Sequence, residues 1–101
     1  GLQWYIADMA TKVSAARALI YEAAMTMDRG ENCTEIAAIA KYYASEMAVE
    51  VTNKALQIYS GYGYMRDYPL ERMYRDARIV PIYEGTSEIQ KNIIAREELK
   101  K

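Results

Sequence analysis

The chain has 101 residues, of which 51% are hydrophobic, and its 13 basic and 14 acidic side chains leave a net charge of −1. That is material for one small domain, and it carries no basic footprint for nucleic acid or an anionic membrane surface. Histidine is absent and Cys33 is the sole cysteine, which removes Ser-His and Cys-His catalysis, the His-containing di-iron bundle and any intrachain disulfide or thiolate metal cluster.

The first predicted element starts immediately. Apolar residues fall at Leu2, Ile6, Met9, Val13, Ala16, Ile20, Ala23 and Met27, with spacings alternating between four and three, the period of a helix sustained for many turns. The opening "GLQWYIADMATK" has neither the basic n-region nor the cleavage site of a signal peptide. No stretch reaches the roughly 18 apolar residues of a membrane span. Because the register is already running at Leu2, the chain reads as a piece of a longer protein. Gly30, in "DRGEN", suits the left-handed conformation that ends helices.

Thr34 is the candidate N-cap of a second long helix, with Ile36, Ala40, Tyr43, Met47, Val51, Ala55 and Ile58 on one stripe. The short link makes the two helices antiparallel. The second helix is expected to break at Gly61 and Gly63, and Pro69 suits the first turn of the next helix because its missing N–H is unneeded there. "PLERMYRDARI" gives a short helix with Glu71–Arg75 and Arg72–Asp76 at i, i+4, a cluster that reads as a structural salt-bridge face. Pro81 closes it. Ser87-x-x-Gln90 has the form of a capping box opening a last helix through Ile89, Ile93 and Ile94 to Leu99. Nothing alternates with period two. The predicted fold class is all-α, an up-down bundle of two long, one short and one medium helix, in a single domain over 1–101.

Two segments carry residues that could do chemistry. In "PIYEGTSEIQK", residues 81–91, Glu84 stands between Tyr83 and Gly85 before a helix start, where unpaired N–H groups favour negative charge. Such a place suits a developing oxyanion or a phosphate, and a carboxylate there can serve as a general base, with Gly85 letting a ligand approach the backbone. On the residues alone the simpler reading is that it complements the helix dipole, since acidic residues are common before helices. "QIYSGYGYM", residues 57–65, offers glycines and tyrosines to a planar or phosphate-bearing ligand, or is simply a helix stop with aromatic packing. It lacks the preceding strand and the glycine spacing of a dinucleotide fingerprint.

Together, "GLQWYIADMAT", "ASEMAVEVTNKALQIYSGYGYMRDYPLERMYRDARI" and "IYEGTSEIQKNIIARE" resemble the C-terminal helical domain of the acyl-CoA dehydrogenases, over essentially the whole chain. The resemblance implies an FAD-dependent enzyme with a helical N-domain, a β-barrel middle domain and this bundle, usually a homotetramer built from dimers whose interface holds the flavin. It implies that Glu84 is the base that removes the α-proton of an acyl-CoA thioester while a hydride leaves the β-carbon for flavin N5. The product is a 2-enoyl-CoA, and the electrons go to electron-transferring flavoprotein.

The resemblance further implies a substrate contact at Gly85. It assigns contacts with the ADP part of the partner subunit's FAD to Gln57, Ile58, Tyr59, Ser60 and Gly61, and flavin-side contacts to Thr86, Ser87 and Glu88. No metal is implied, and the compartment implied is the bacterial cytoplasm or the mitochondrial matrix. The family usually has Gly-Gly at Ser60-Gly61, so Ser60 is a departure. A glutamate at position 84 points to the short-chain, medium-chain or 2-methyl-branched type. The family's first C-domain helix is absent, so the isolated chain is expected to hold no flavin and to show no activity. The alternative is a helical assembly module without catalysis, which would have no use for a carboxylate at position 84.

Overall fold

Helical spacing and small side chains determine how the molecule is built. In the computed structural model, which describes residues 1–101, five helices follow in order: α1 (Leu2–Asp28), α2 (Thr34–Tyr59), α3 (Gly61–Tyr64), α4 (Leu70–Ile79) and α5 (Ser87–Leu99), without a strand. The all-α expectation holds, with two long helices, one short and one medium. The single-turn α3 is an addition where only a break was expected. No helix is long and apolar enough to cross a membrane.

Helix α2 is the spine, since α1, α3, α4 and α5 all pack on it while α1 touches no other helix. Its partners run antiparallel to it. On the α1 side, Lys54 lies over the Tyr5 ring and Lys12 pairs with Glu50, so the numbering falls on one helix as it rises on the other. On the α5 side, the Ser87 hydroxyl meets Glu46, Lys91 lies over the Tyr42 ring, and Lys101 reaches Glu35. Hydrogen bonds to Glu35 and then Glu98 hold the Lys101 ammonium above its ordinary range. The segment after α4 meets Lys41. Helices α4 and α5 therefore follow one another along α2, as one antiparallel helix interrupted at residues 80–86.

The ends follow local chemistry. Gly30 takes φ +73°, with Glu31 N–H donating to the Thr26 carbonyl (3.2 Å) and Gly30 N–H to Met27 (3.0 Å), a Schellman closure of α1. Three expectations shift by a residue or lose a bond. Cys33, not Thr34, is the N-cap of α2, and the Asn32 side chain accepts the Thr34 N–H instead. Pro69 occupies the N-cap of α4 rather than its first turn. Glu71–Arg75 forms on α4, with the Glu71 carboxylate largely shielded, whereas Arg72–Asp76, with both side chains exposed to water, does not form.

The core consists of small residues. The buried hydrophobics are Ala16, Ala38, Ala40 and Ala77, and no large side chain is fully buried. The predicted stripe of α1 is covered only where α2 crosses it: Leu2 and Ile6 remain 58% and 55% exposed, beside Trp4 at 77%. Each such side chain left in water forgoes about 1.5–3 kcal/mol of burial.

Ser60, between α2 and α3, has φ +54° and ψ −131°, a conformation natural to glycine. Its hydroxyl returns only a 3.3 Å bond to the Gln57 carbonyl. Holding a side chain in that region costs about 1–3 kcal/mol. Glycine also loses more entropy on folding, which offsets part of the relief. Ser60→Gly is accordingly expected to stabilise the chain by about 1 kcal/mol, raising the thermal midpoint by roughly 4–8 °C. A midpoint that falls instead would show that Ser60 sits there without strain.

Candidate active-site loop and cofactor edge

The interruption between α4 and α5 exposes the carbonyl end of one helix and the N–H end of the next at one place. Glu84 lies there, exposed, in the left-handed conformation at φ +55°, followed by half-buried Gly85 at φ +97°. Ser60 and Glu84 are the non-glycine residues with positive φ, and both are positions singled out from the sequence. Left-handed backbone at a side chain that can do chemistry is a sign of function. The N–H groups of Glu84 and Gly85 make no hydrogen bond within the chain, while Ser87 N–H closes the loop onto the Pro81 carbonyl at 3.0 Å.

The cap of α5 is Thr86, one residue before the Ser87 expected from the sequence. The Thr86 hydroxyl oxygen accepts the Ile89 N–H at 3.2 Å. Ser87 is buried and its hydroxyl donates to Glu46 Oε1 at 2.6 Å, tying the start of α5 to α2. Gln90 is also buried. Its amide donates to the Gly85 carbonyl at 3.4 Å, and Gln90 Nε2 lies 2.6 Å from where a Cβ on Gly85 would stand. Glu88 is exposed on the first turn of α5.

Lys41 of α2 had no place in the sequence reading. Its ammonium donates to the carbonyls of Val80 (2.6 Å), Gly85 (3.0 Å) and Tyr83 (3.2 Å). The available signal was a lysine among Ala37, Ala38, Ala40, Ala44 and Ser45, on the small-residue face that packs. Beside the loop runs an apolar groove of about 430 Å³, bordered by Ile20 and Ala23 of α1, Ala40 and Ala44 of α2, and Val80 and Tyr83.

The second predicted group lies at the far end of α2. Gln57 and Tyr59 are exposed and Ile58 is half-buried; Ser60 closes α2 with its N–H on the Gln57 carbonyl at 3.1 Å. Gly61 has open space where a Cβ would stand, whereas Gly63 does not: its Cβ would meet the Leu56 carbonyl oxygen at 2.7 Å. Between Lys41 and Gln57 the axis rises roughly 24 Å. The chain thus does not bring its two predicted groups together.

The family model described as "Acyl-CoA dehydrogenase, C-terminal domain" matches residues 1–99. The acryloyl-CoA reductase (NADH) of Anaerotignum propionicum is 64% identical over the whole chain, which spans 26% of that relative. A chain from the structure of the electron transferring flavoprotein of Acidaminococcus fermentans superposes with a TM-score of 0.97 at 50% identity, over 99% of this chain and 26% of that one. The butyryl-CoA dehydrogenase of Megasphaera elsdenii gives a TM-score of 0.94 at 45% identity, over 96% of this chain and 25% of that one. The chain spans about a quarter of the length of these relatives. With the family model over nearly every residue and the same fold in close relatives, this chain belongs to the acyl-CoA dehydrogenase family, as its C-terminal helical domain.

Proposed function

We propose that this domain supplies the α-proton base of a flavin-dependent enzyme interconverting short acyl-CoA and 2-enoyl-CoA thioesters. The observation that carries the reading is Glu84: an exposed carboxylate held left-handed at the helix break, beside an apolar groove. Its carboxylate takes the α-proton in the oxidative direction and returns it in the reductive one, since one positioned group serves both directions of a proton transfer. The free N–H of Glu84 offers a hydrogen bond to the thioester carbonyl as negative charge develops there. Gly85, bare of a side chain, lets the thioester lie against the backbone.

FAD, when bound, supplies the acceptor or donor of the hydride at the β-carbon. The residues here fit an edge of that cofactor. Gln57 presents a free amide, Gly61 leaves its backbone open, and α5 presents Thr86 and Glu88 at its N-terminal turn. Ser87 contributes through Glu46, with its hydroxyl turned into the bundle. The separation of the two groups along α2 supports service to two different cofactors, one in each subunit of a dimer. Electron-transferring flavoprotein is the proposed redox partner, in keeping with the Acidaminococcus relative. The short acyl class follows the relatives named for acryloyl-CoA and butyryl-CoA.

The experiment is anaerobic mixing of the FAD-loaded full-length enzyme with butyryl-CoA. Loss of the flavin absorbance, reversed by crotonyl-CoA, is expected; a flavin unchanged by either thioester overturns the reading.

The bare face of α1 favours assembly alongside catalysis. With Leu2, Trp4 and Ile6 in water and alanines as the enclosed hydrophobic side chains, the isolated chain is expected to sediment as a dimer or higher species at tens of micromolar, without flavin. A stable monomer at that concentration contradicts self-association through this face, and a yellow preparation contradicts the placing of most cofactor contacts outside the chain.

A further inference from the structure

Lys41 is a charged residue on the packed face of α2, and the reaction described above gives it no part. An ammonium has three donors and no acceptor, and here each finds a carbonyl: Val80, Tyr83 and Gly85. Those carbonyls receive no backbone N–H because the helix is interrupted, and only that of Gly85 has a second donor, the Gln90 amide at 3.4 Å. Val80 is the C-cap of α4, where the peptide dipoles leave partial negative charge, while Tyr83 and Gly85 flank the residue at which the chain turns left-handed. Charge-assisted bonds of this kind are the stronger ones. The Tyr83 carbonyl belongs to the peptide entering the Glu84 Cα and the Gly85 carbonyl to the peptide leaving Gly85, so holding both confines the backbone of Glu84 and Gly85 between two fixed peptides, and with it the direction in which the Glu84 side chain leaves the chain. Ser87–Glu46 anchors the far side of the loop to the same helix.

We propose that Lys41 is a positioning residue: by drawing together the carbonyls of Val80, Tyr83 and Gly85, it holds Glu84 in the left-handed conformation from which its carboxylate reaches the substrate α-carbon. The proposal rests on the reading of Glu84 as the base. A misplacement of about 1 Å is worth roughly 10²-fold in rate, and that is the loss expected when the anchor is removed.

The test uses the full-length FAD-loaded enzyme carrying Lys41→Met, with Glu84→Gln prepared beside it. Amide hydrogen exchange at Ile82, Tyr83 and Ser87, the loop amides bonded to the carbonyls of Ile79 and Pro81, is expected to quicken selectively, with α1 and the rest of α5 still protected. The kcat is expected to fall roughly 10²-fold, with KM for butyryl-CoA and FAD content near wild type. A merely structural lysine would instead lower FAD content and protection throughout. If Lys41→Met does not accumulate as holoenzyme, Lys41→Arg is read in the same way, because its planar fork cannot meet three converging carbonyls as a pivoting ammonium does. Unchanged exchange at Ile82, Tyr83 and Ser87 overturns the proposal. So does quickened exchange with unchanged kcat while Glu84→Gln is inactive. Wild-type turnover in Glu84→Gln overturns the base reading itself, whatever Lys41→Met does to the loop, and with it the purpose assigned to the lysine.

Discussion

Glu84→Gln in the full-length enzyme is expected to lower turnover by at least the roughly 10²–10⁴-fold typical of one acid–base group, while FAD content and acyl-CoA affinity stay near wild type. The substitution is close to isosteric, and the Glu84 side chain is exposed with no hydrogen bond or salt bridge to another residue of the chain. The left-handed backbone at φ +55° is set by the loop and its anchors, so the fold has little to lose. What disappears is the capacity to accept a proton, because an amide of the same shape is no base at ordinary pH. Steady-state turnover with butyryl-CoA checks this. A variant within a few-fold of wild type would remove Glu84 from the chemistry.

The second large effect is expected at Gly63. A Cβ there would stand 2.7 Å from the Leu56 carbonyl oxygen, 3.2 Å from Leu56 Cα and 3.1 Å from Tyr59 Cβ. These are backbone and near-backbone atoms of α2, which cannot swing aside as the end of a long side chain can. Gly63→Ala must push α3 off the end of α2, at about 1–3 kcal/mol for a forced overpacking, a drop in thermal midpoint of up to roughly 10–20 °C for a domain of this size. Since α3 starts at Gly61, within the Gln57–Gly61 group, the full-length variant is also expected to retain less FAD. Gly61→Ala is the contrast. Nothing in the chain lies within 4 Å of its Cβ position, so the midpoint should hold, and any loss of FAD then reports a ligand approaching from outside. Equal midpoints for the two variants would contradict this division of roles.

Much of the architecture was legible because it depends on periodicity and end signals. The spacing from Leu2 to Met27 gave α1 to within a residue, and Gly30 marked its end, since a residue at φ +73° is most readily glycine. Pattern alone could not tell that the stripe would be covered in its middle, around Ala16, and bare at Leu2 and Met27, because coverage depends on where α2 crosses α1. The cap of α5 moved from Ser87 to Thr86 for a tertiary reason. Both hydroxyls suit a cap, but Ser87 has Glu46 of α2 as a partner, forty-one positions earlier in the chain. Glu84 was conspicuous as a carboxylate between an aromatic ring and a glycine, yet only the backbone revealed its left-handed turn. Lys41 stood out only as a lysine among small residues, and its role was not legible, since it depends on three carbonyls more than thirty-eight positions away that lose their backbone partners only once a helix is interrupted.

The claim that Glu84 moves the α-proton is tested most directly where no hydride can follow. A thioester whose β-carbon is replaced by sulfur keeps its acidic α-protons but offers no β-hydrogen, so proton transfer is seen alone. In D₂O the FAD-loaded full-length enzyme is expected to exchange the α-protons of such an acyl-CoA analogue for deuterium, and Glu84→Gln is expected to leave them in place, slower by at least roughly 10²-fold. Exchange at the wild-type rate in Glu84→Gln would mean that another group carries the proton.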